Sequence, residues 1–109
     1  MLINFDEMKE VTIPHLNNGD GAVSAKMYMD GANKIMLSRI PVGASIGLHE
    51  HKTSAEINYV ISGEGKAICD GAEEELSSGR VHYCPKGSAH SIVNTGDCEL
   101  VLFTVVPEQ

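Results

Sequence analysis

The sequence predicts an all-β domain, a sandwich or barrel of short strands. Three observations support this. Turn-forming residues recur at close intervals: Asp30-Gly31-Ala32-Asn33, Ser62-Gly63-Glu64-Gly65, Asp70-Gly71, Ser77-Ser78-Gly79, Pro85-Lys86-Gly87 and Asn94-Thr95-Gly96-Asp97. The runs between them have strand length. No long stretch carries the pattern of an amphipathic helix.

In chain order, residues 1–22 read as an N-terminal arm or edge strand, with a short helical turn near residues 6–9 and a loop at Asn17-Asn18-Gly19-Asp20-Gly21. Residues 23–109 form the barrel domain. Strands are expected over residues 23–29, 34–40, 56–61, 66–69, 81–84, 90–93 and 100–106. Asp70-Gly71 is the best hairpin signal, because a type I′ turn needs positive φ at both central residues. On the strand 34–40, Met36 and Ser38 share one face, and Ile35, Leu37 and Arg39 the other. Alternation alone does not say which face looks inward.

A chain of 109 residues fits one domain. A domain of this size buries a modest share of its surface, so pairing into a homodimer is an economical way to cover apolar edges. The formal charge of −7 is spread along the chain, which argues against nucleic acid or an anionic membrane as partner. The one acidic run, Glu73-Glu74-Glu75, reads as a solvated strand face. No apolar run approaches the roughly 20 residues that span a bilayer, and the N-terminus lacks the pattern of a signal peptide. Cys69, Cys84 and Cys98 are odd in number and contain no C-x-x-C pair, which suits a reducing cytoplasm rather than a disulfide framework.

The chemistry is concentrated in two stretches. One reads G-x5-H-x-H-x4-E-x6-G from Gly43 through His49, His51 and Glu56 to Gly63. The other reads G-x5-P-x-G-x2-H-x3-N from Gly79 through Pro85, Gly87 and His90 to Asn94. Side chains alternate along a strand, so His49 and His51 point the same way and Glu50 points away. Glu56 opens the next strand, and His90 must be brought in by barrel closure. Three imidazoles and a carboxylate on one inner face would bind a divalent transition metal.

These two stretches resemble both motifs of the cupin superfamily, without gaps, over about residues 34–106. The resemblance implies a double-stranded β-helix, or jelly roll. It implies that His49, His51, Glu56 and His90 are the ligands of one divalent metal. Manganese or iron is favoured over nickel or zinc, because four protein ligands on a six-coordinate ion leave two positions open and zinc prefers four-coordinate sites. The implied activity is on a small oxygen-rich substrate, a carboxylate or a keto or enediol compound, with an oxalate-like dicarboxylate first. The alternatives are a non-catalytic metal- or metabolite-binding cupin and a Lewis-acid isomerase or lyase.

Two inward positions are candidates for catalysis. Asn58 shares the parity of Glu56; its amide either bonds a bound ligand or satisfies a neighbouring backbone group. His82 either lines the pocket, supports a ligand or acts as general base, or is a neutral core histidine bonded to backbone. Cys84 reads as a small buried hydrophobe, and Cys69 and Cys98 as packing residues. Tyr28, Tyr59 and Tyr83 are expected to be partly buried, and Arg39 to make a surface or dimer-interface ion pair.

Overall fold

Short alternating runs close here into two facing antiparallel sheets. The computed structural model describes all 109 residues. Ten strands are present: β1 (Val11–Pro14), β2 (Ala22–Met29), β3 (Asn33–Ile40), β4 (Ser45–Glu50), β5 (Glu56–Ser62), β6 (Glu64–Cys69), β7 (Ala72–Ser77), β8 (Val81–Cys84), β9 (Ala89–Asn94) and β10 (Leu100–Pro107). One sheet has the order β1-β2-β3-β10-β5-β8, and the other β4-β9-β6-β7. This is the all-β, jelly-roll architecture expected. No helix is long and apolar enough to cross a membrane.

All seven expected strands form, extended by up to two residues at an end. The helical turn near the N-terminus is a 3-10 turn at Phe5–Glu7, one residue earlier than expected, capped by the Asn4 side chain on the Asp6 amide. Residues 1–22 also supply β1, which pairs with β2 at the sheet edge. Asp70 and Gly71 take φ of 50° and 83° and join β6 to β7, as a hairpin with two positive-φ residues requires.

The apolar core lies between the sheets at one end of the barrel. Val23, Ile40, Val60, Leu100 and Leu102 of the larger sheet meet Ala67, Leu76 and Ile92 of the smaller one. Asn94 closes this end by donating to the Ile40 and Cys98 carbonyls. The same strands then continue toward the other end with polar inward residues, which is where the two motifs converge.

Alternation on β3 resolves one open question. Ser38 and Ile40 are buried, and Met36 and Ser38 line the interior cavity, so Arg39 faces out. There it forms ion pairs with Glu10 and, at 3.3 Å, with Glu99. Other expectations fail. Tyr59 and Tyr83 stand on the outer face of the larger sheet and are exposed; the N-terminal segment covers that face only in part, where Phe5 packs edge-on against Phe103, and leaves both tyrosines open to solvent. Cys98 lies in the exposed turn before β10 and packs against no core.

Candidate metal centre

The local path of β4 decides where its histidines point. In its pairing with β9, Ile46 stands opposite Ile92 and His49 opposite His90, so β4 spends one residue more than its partner. Such a bulge reverses the alternation. Ile46 and His49 both reach the cavity while Leu48 is turned to solvent. Gly47 sits in the bulge because the loop at Asn17 crosses β4 there; a Cβ on Gly47 would collide with the Asn17 carbonyl. His51 lies one residue past the end of β4, anchored by backbone bonds to Ser88 and Gly87.

The structure brings His49, His51, Glu56 and His90 together, with their ligand atoms all within 4.8 Å of one another. The three Nε2 atoms form a triangle with edges of 3.2, 3.0 and 3.1 Å. Glu56 closes it, with Oε1 3.3 Å from His51 Nε2 and Oε2 3.4 Å from His90 Nε2. His51, Glu56 and His90 are buried and His49 is half-buried.

Tautomers show that this cluster fits a cation. The Gly47 carbonyl, 2.8 Å from His49 Nδ1, can only accept, so that nitrogen carries the proton. Ser54 Oγ lies 3.1 Å from His51 Nδ1, and its hydroxyl is able to accept a proton from that nitrogen or to donate one to it. His82 Nε2 lies 2.8 Å from His90 Nδ1. With Nδ1 protonated on all three rings, three Nε2 lone pairs and a carboxylate converge, a donor set that would hold a divalent ion.

Charge states agree with this. Burial pushes the Glu56 carboxyl upward, but the neighbouring imidazoles of His51 and His90 and the Asn58 amide outweigh it and hold the group at about 2. Burial lowers the His90 imidazole to about 4, with Glu56 opposing. Near neutral pH the site thus holds an ionised carboxylate and a neutral His90, the forms a metal takes.

Asn58 is buried and tied to side chains, not to backbone: its Nδ2 donates to Glu56 at 2.8 Å and its Oδ1 accepts from Thr104 at 2.6 Å. His82 has no exposure, and it too lacks the expected backbone partner; its ring nitrogens meet Glu74 and His90. It sits behind His90 and does not line the cavity. The cavity has a volume of about 430 Å³. The donor cluster presents His49, His51 and Glu56 to it, and Val23, Met27, Met36, Ile46, Leu102 and Val106 make an apolar wall. Burial raises the Cys84 thiol to about 12, which keeps it protonated and inert. Sequence reasoning missed Glu74, although its parity with the buried Leu76 was a usable signal.

Comparison with known proteins places the chain. It is 30% identical to the oxalate-binding protein of Thermotoga maritima over 112 residues, covering 97% of this chain and 93% of that protein. It superposes on a crystal structure from T. maritima, described as a predicted oxalate decarboxylase, with a TM-score of 0.93, 28% identity and full coverage of both chains. The Cnp3 cupin domain of Schizosaccharomyces pombe shares the fold at a TM-score of 0.80 and 12% identity, over 97% of this chain and 72% of that one. A family model for the cupin domain matches residues 36–106, and the chain belongs to the cupin family.

Proposed function

We propose that this protein binds one divalent transition metal through His49, His51, Glu56 and His90, manganese or iron ahead of nickel or zinc, and holds a small oxygen-rich ligand against it. The observation that carries the reading is the convergence of three imidazole lone pairs and a carboxylate on one cavity. Donors about 2.1 Å from an ion lie about 3.0 Å apart at right angles and about 3.4 Å apart at tetrahedral angles. The nitrogen separations of 3.0–3.2 Å are nearer the first and the Glu56 oxygen–nitrogen separations of 3.3 and 3.4 Å nearer the second; the preference for manganese or iron rests instead on the four-donor set, which leaves two positions of a six-coordinate ion for ligand. Such an ion would supply Lewis-acid polarisation of a carbonyl or carboxylate, or a site for dioxygen. This chain's residues orient the donors, and Asn58 and Thr104 hold the Glu56 carboxylate in place.

The oxalate-binding relative and the structure described as a predicted oxalate decarboxylase support an oxalate-like dicarboxylate as first ligand. The cavity is roomier than a two-carbon diacid needs, and its apolar wall suits a ligand with a chelating oxygen head and a hydrocarbon part. One observation favours binding without turnover. The polar groups nearest the donors are committed: Asn58 holds Glu56, and His82 is enclosed behind His90. The free cysteines support a reducing compartment.

Elemental analysis of protein purified without chelator or affinity nickel tests the metal. Near one equivalent of manganese or iron is expected; no metal, with none taken up on reconstitution, overturns the reading. Calorimetry of metal-loaded protein with oxalate and with longer 2-oxo acids then ranks the ligands. We also propose a homodimer formed through the outer face of the larger sheet, where Ile57, Tyr59, Ile61, Val81 and Tyr83 are exposed together. Light scattering that gives a monomer mass at every concentration overturns it.

A further inference from the structure

The three consecutive glutamates of β7 do not share one environment. Glu73 and Glu75 face out and pair with Lys66 at 3.2 and 3.8 Å. Glu74 has the parity of the buried Leu76 and turns the other way, placing Oε1 2.8 Å from His82 Nδ1. His82, fully enclosed on β8, places Nε2 2.8 Å from Nδ1 of His90, its ring stacked on the His90 ring at 28°. A continuous hydrogen-bonded chain therefore runs from a carboxylate 44% exposed, through a buried imidazole, to the imidazole whose Nε2 faces the donor cluster.

Only one direction of this chain suits a metal. An ionised carboxylate accepts and does not donate. His82 must then donate from Nδ1 to Glu74, which leaves its Nε2 as an acceptor. His90 donates to it from Nδ1, and its own Nε2 lone pair stays free. Were the chain reversed, His90 would carry its proton on Nε2, in the place of the ion. His49 reaches the same tautomer through a partner close in sequence, the Gly47 carbonyl, and His51 Nδ1 faces the nearby Ser54 hydroxyl, which is able to accept its proton. His90 alone depends on two side chains from other strands.

We propose that Glu74 and His82 are positioning residues for metal binding: Glu74, acting through His82, holds His90 in its Nδ1–H tautomer and strengthens Nε2 as a donor. This rests on His90 being a metal ligand. Carboxylate partners of a metal-bound histidine are typically worth 10–100-fold in metal affinity; here the support passes through one further imidazole.

The test uses the full chain and cobalt(II) alone, followed by its visible absorption. Glu74→Gln is the informative variant. Its side chain sits at a partly exposed edge, so folding tolerates it, and the amide can donate to His82 and reverse the chain. Affinity is expected to fall about tenfold with one-to-one stoichiometry kept and the cobalt band shifted, while Glu75→Gln stays within about twofold of the parent. Imidazole nitrogen–proton correlation spectra of the metal-free protein are expected to show His90 as the Nδ1–H tautomer, and as a mixture of tautomers in Glu74→Gln. His82→Gln, able to accept and donate at once, is expected to keep more affinity than His82→Leu. Parental affinity and an unchanged His90 tautomer in Glu74→Gln overturn the proposal, and cobalt binding by the parent then leaves the four-ligand reading intact. A parent chain that binds no cobalt overturns both.

Discussion

The two ends of the barrel are made from the same strands and hold opposite interiors. On β5 the inward residues run from Val60 at one end through Asn58 to Glu56 at the other; on β9 they run from Ile92 to His90, and on β10 from Leu102 to Thr104. At the closed end Val60, Leu76, Ile92, Leu100 and Leu102 pack against one another. At the metal end the buried groups are held by hydrogen bonds: Thr104 to Asn58, Asn58 to Glu56, His82 to His90. The apolar end stabilises the fold by removing hydrocarbon from water. The polar end brings little net stability, since each of its bonds replaces one with water. A rigid apolar end therefore carries a site that is costly to bury, and each end should be breakable without the other.

The largest effect is expected at the metal end. His51→Ala should abolish stoichiometric metal binding and leave the barrel folded; a full equivalent of metal retained by that variant, measured by elemental analysis, breaks the site assignment. Next comes the closed end. Leu100→Ala should cost about 2–5 kcal/mol in denaturant unfolding while metal stoichiometry persists, since Leu100 is fully buried and lies outside the cavity lining. Loss of metal binding in a folded Leu100→Ala protein would show that the ends are not independent.

Acid should act most strongly on the metal end, although Glu10, Asp30 and Asp70 are also held below the usual carboxylate range by their hydrogen-bond partners. In chelator-treated protein the depressed His90, at about 4, binds fewer protons folded than unfolded. Its contribution is complete above about pH 6.5 and is lost as pH falls toward 4, by roughly 3 kcal/mol at most. Glu56, depressed to about 2, adds a second loss from about pH 4.5 downward. Urea unfolding that is flat between pH 7 and 4 would contradict this. The smallest effect belongs to neither end. Arg39→Met removes exposed ion pairs with Glu10 and Glu99 and should leave the urea midpoint close to that of the parent.

Much of the fold was readable because strand length and turn chemistry are local. Asp70-Gly71 must take positive φ wherever it lies, and the run 81–84 is a strand with the same bounds in both readings. The segment that became β4 was harder. Its alternation is interrupted by the bulge at Gly47, so a count from Ile46 puts His49 on the wrong face, whereas a count between His49 and His51 does not. Glu73, Glu74 and Glu75 are all exposed, as a solvated strand face requires, but Glu74 alone also reaches a buried partner. Three like charges look like one solvated surface until a sheet edge turns the middle one toward His82.

The sequence by itself determined seven of the ten strand segments, the turns and which four side chains converge. These depend on spacing along the chain and on side-chain chemistry, both local properties. Tertiary structure decided the inward face of β3, the reach of His49 past the bulge, and the chain from Glu74 through His82 to His90. Each of these needs the register between strands far apart in sequence. That register is set by the partner strand and by the loop crossing at Asn17, which no residue encodes alone.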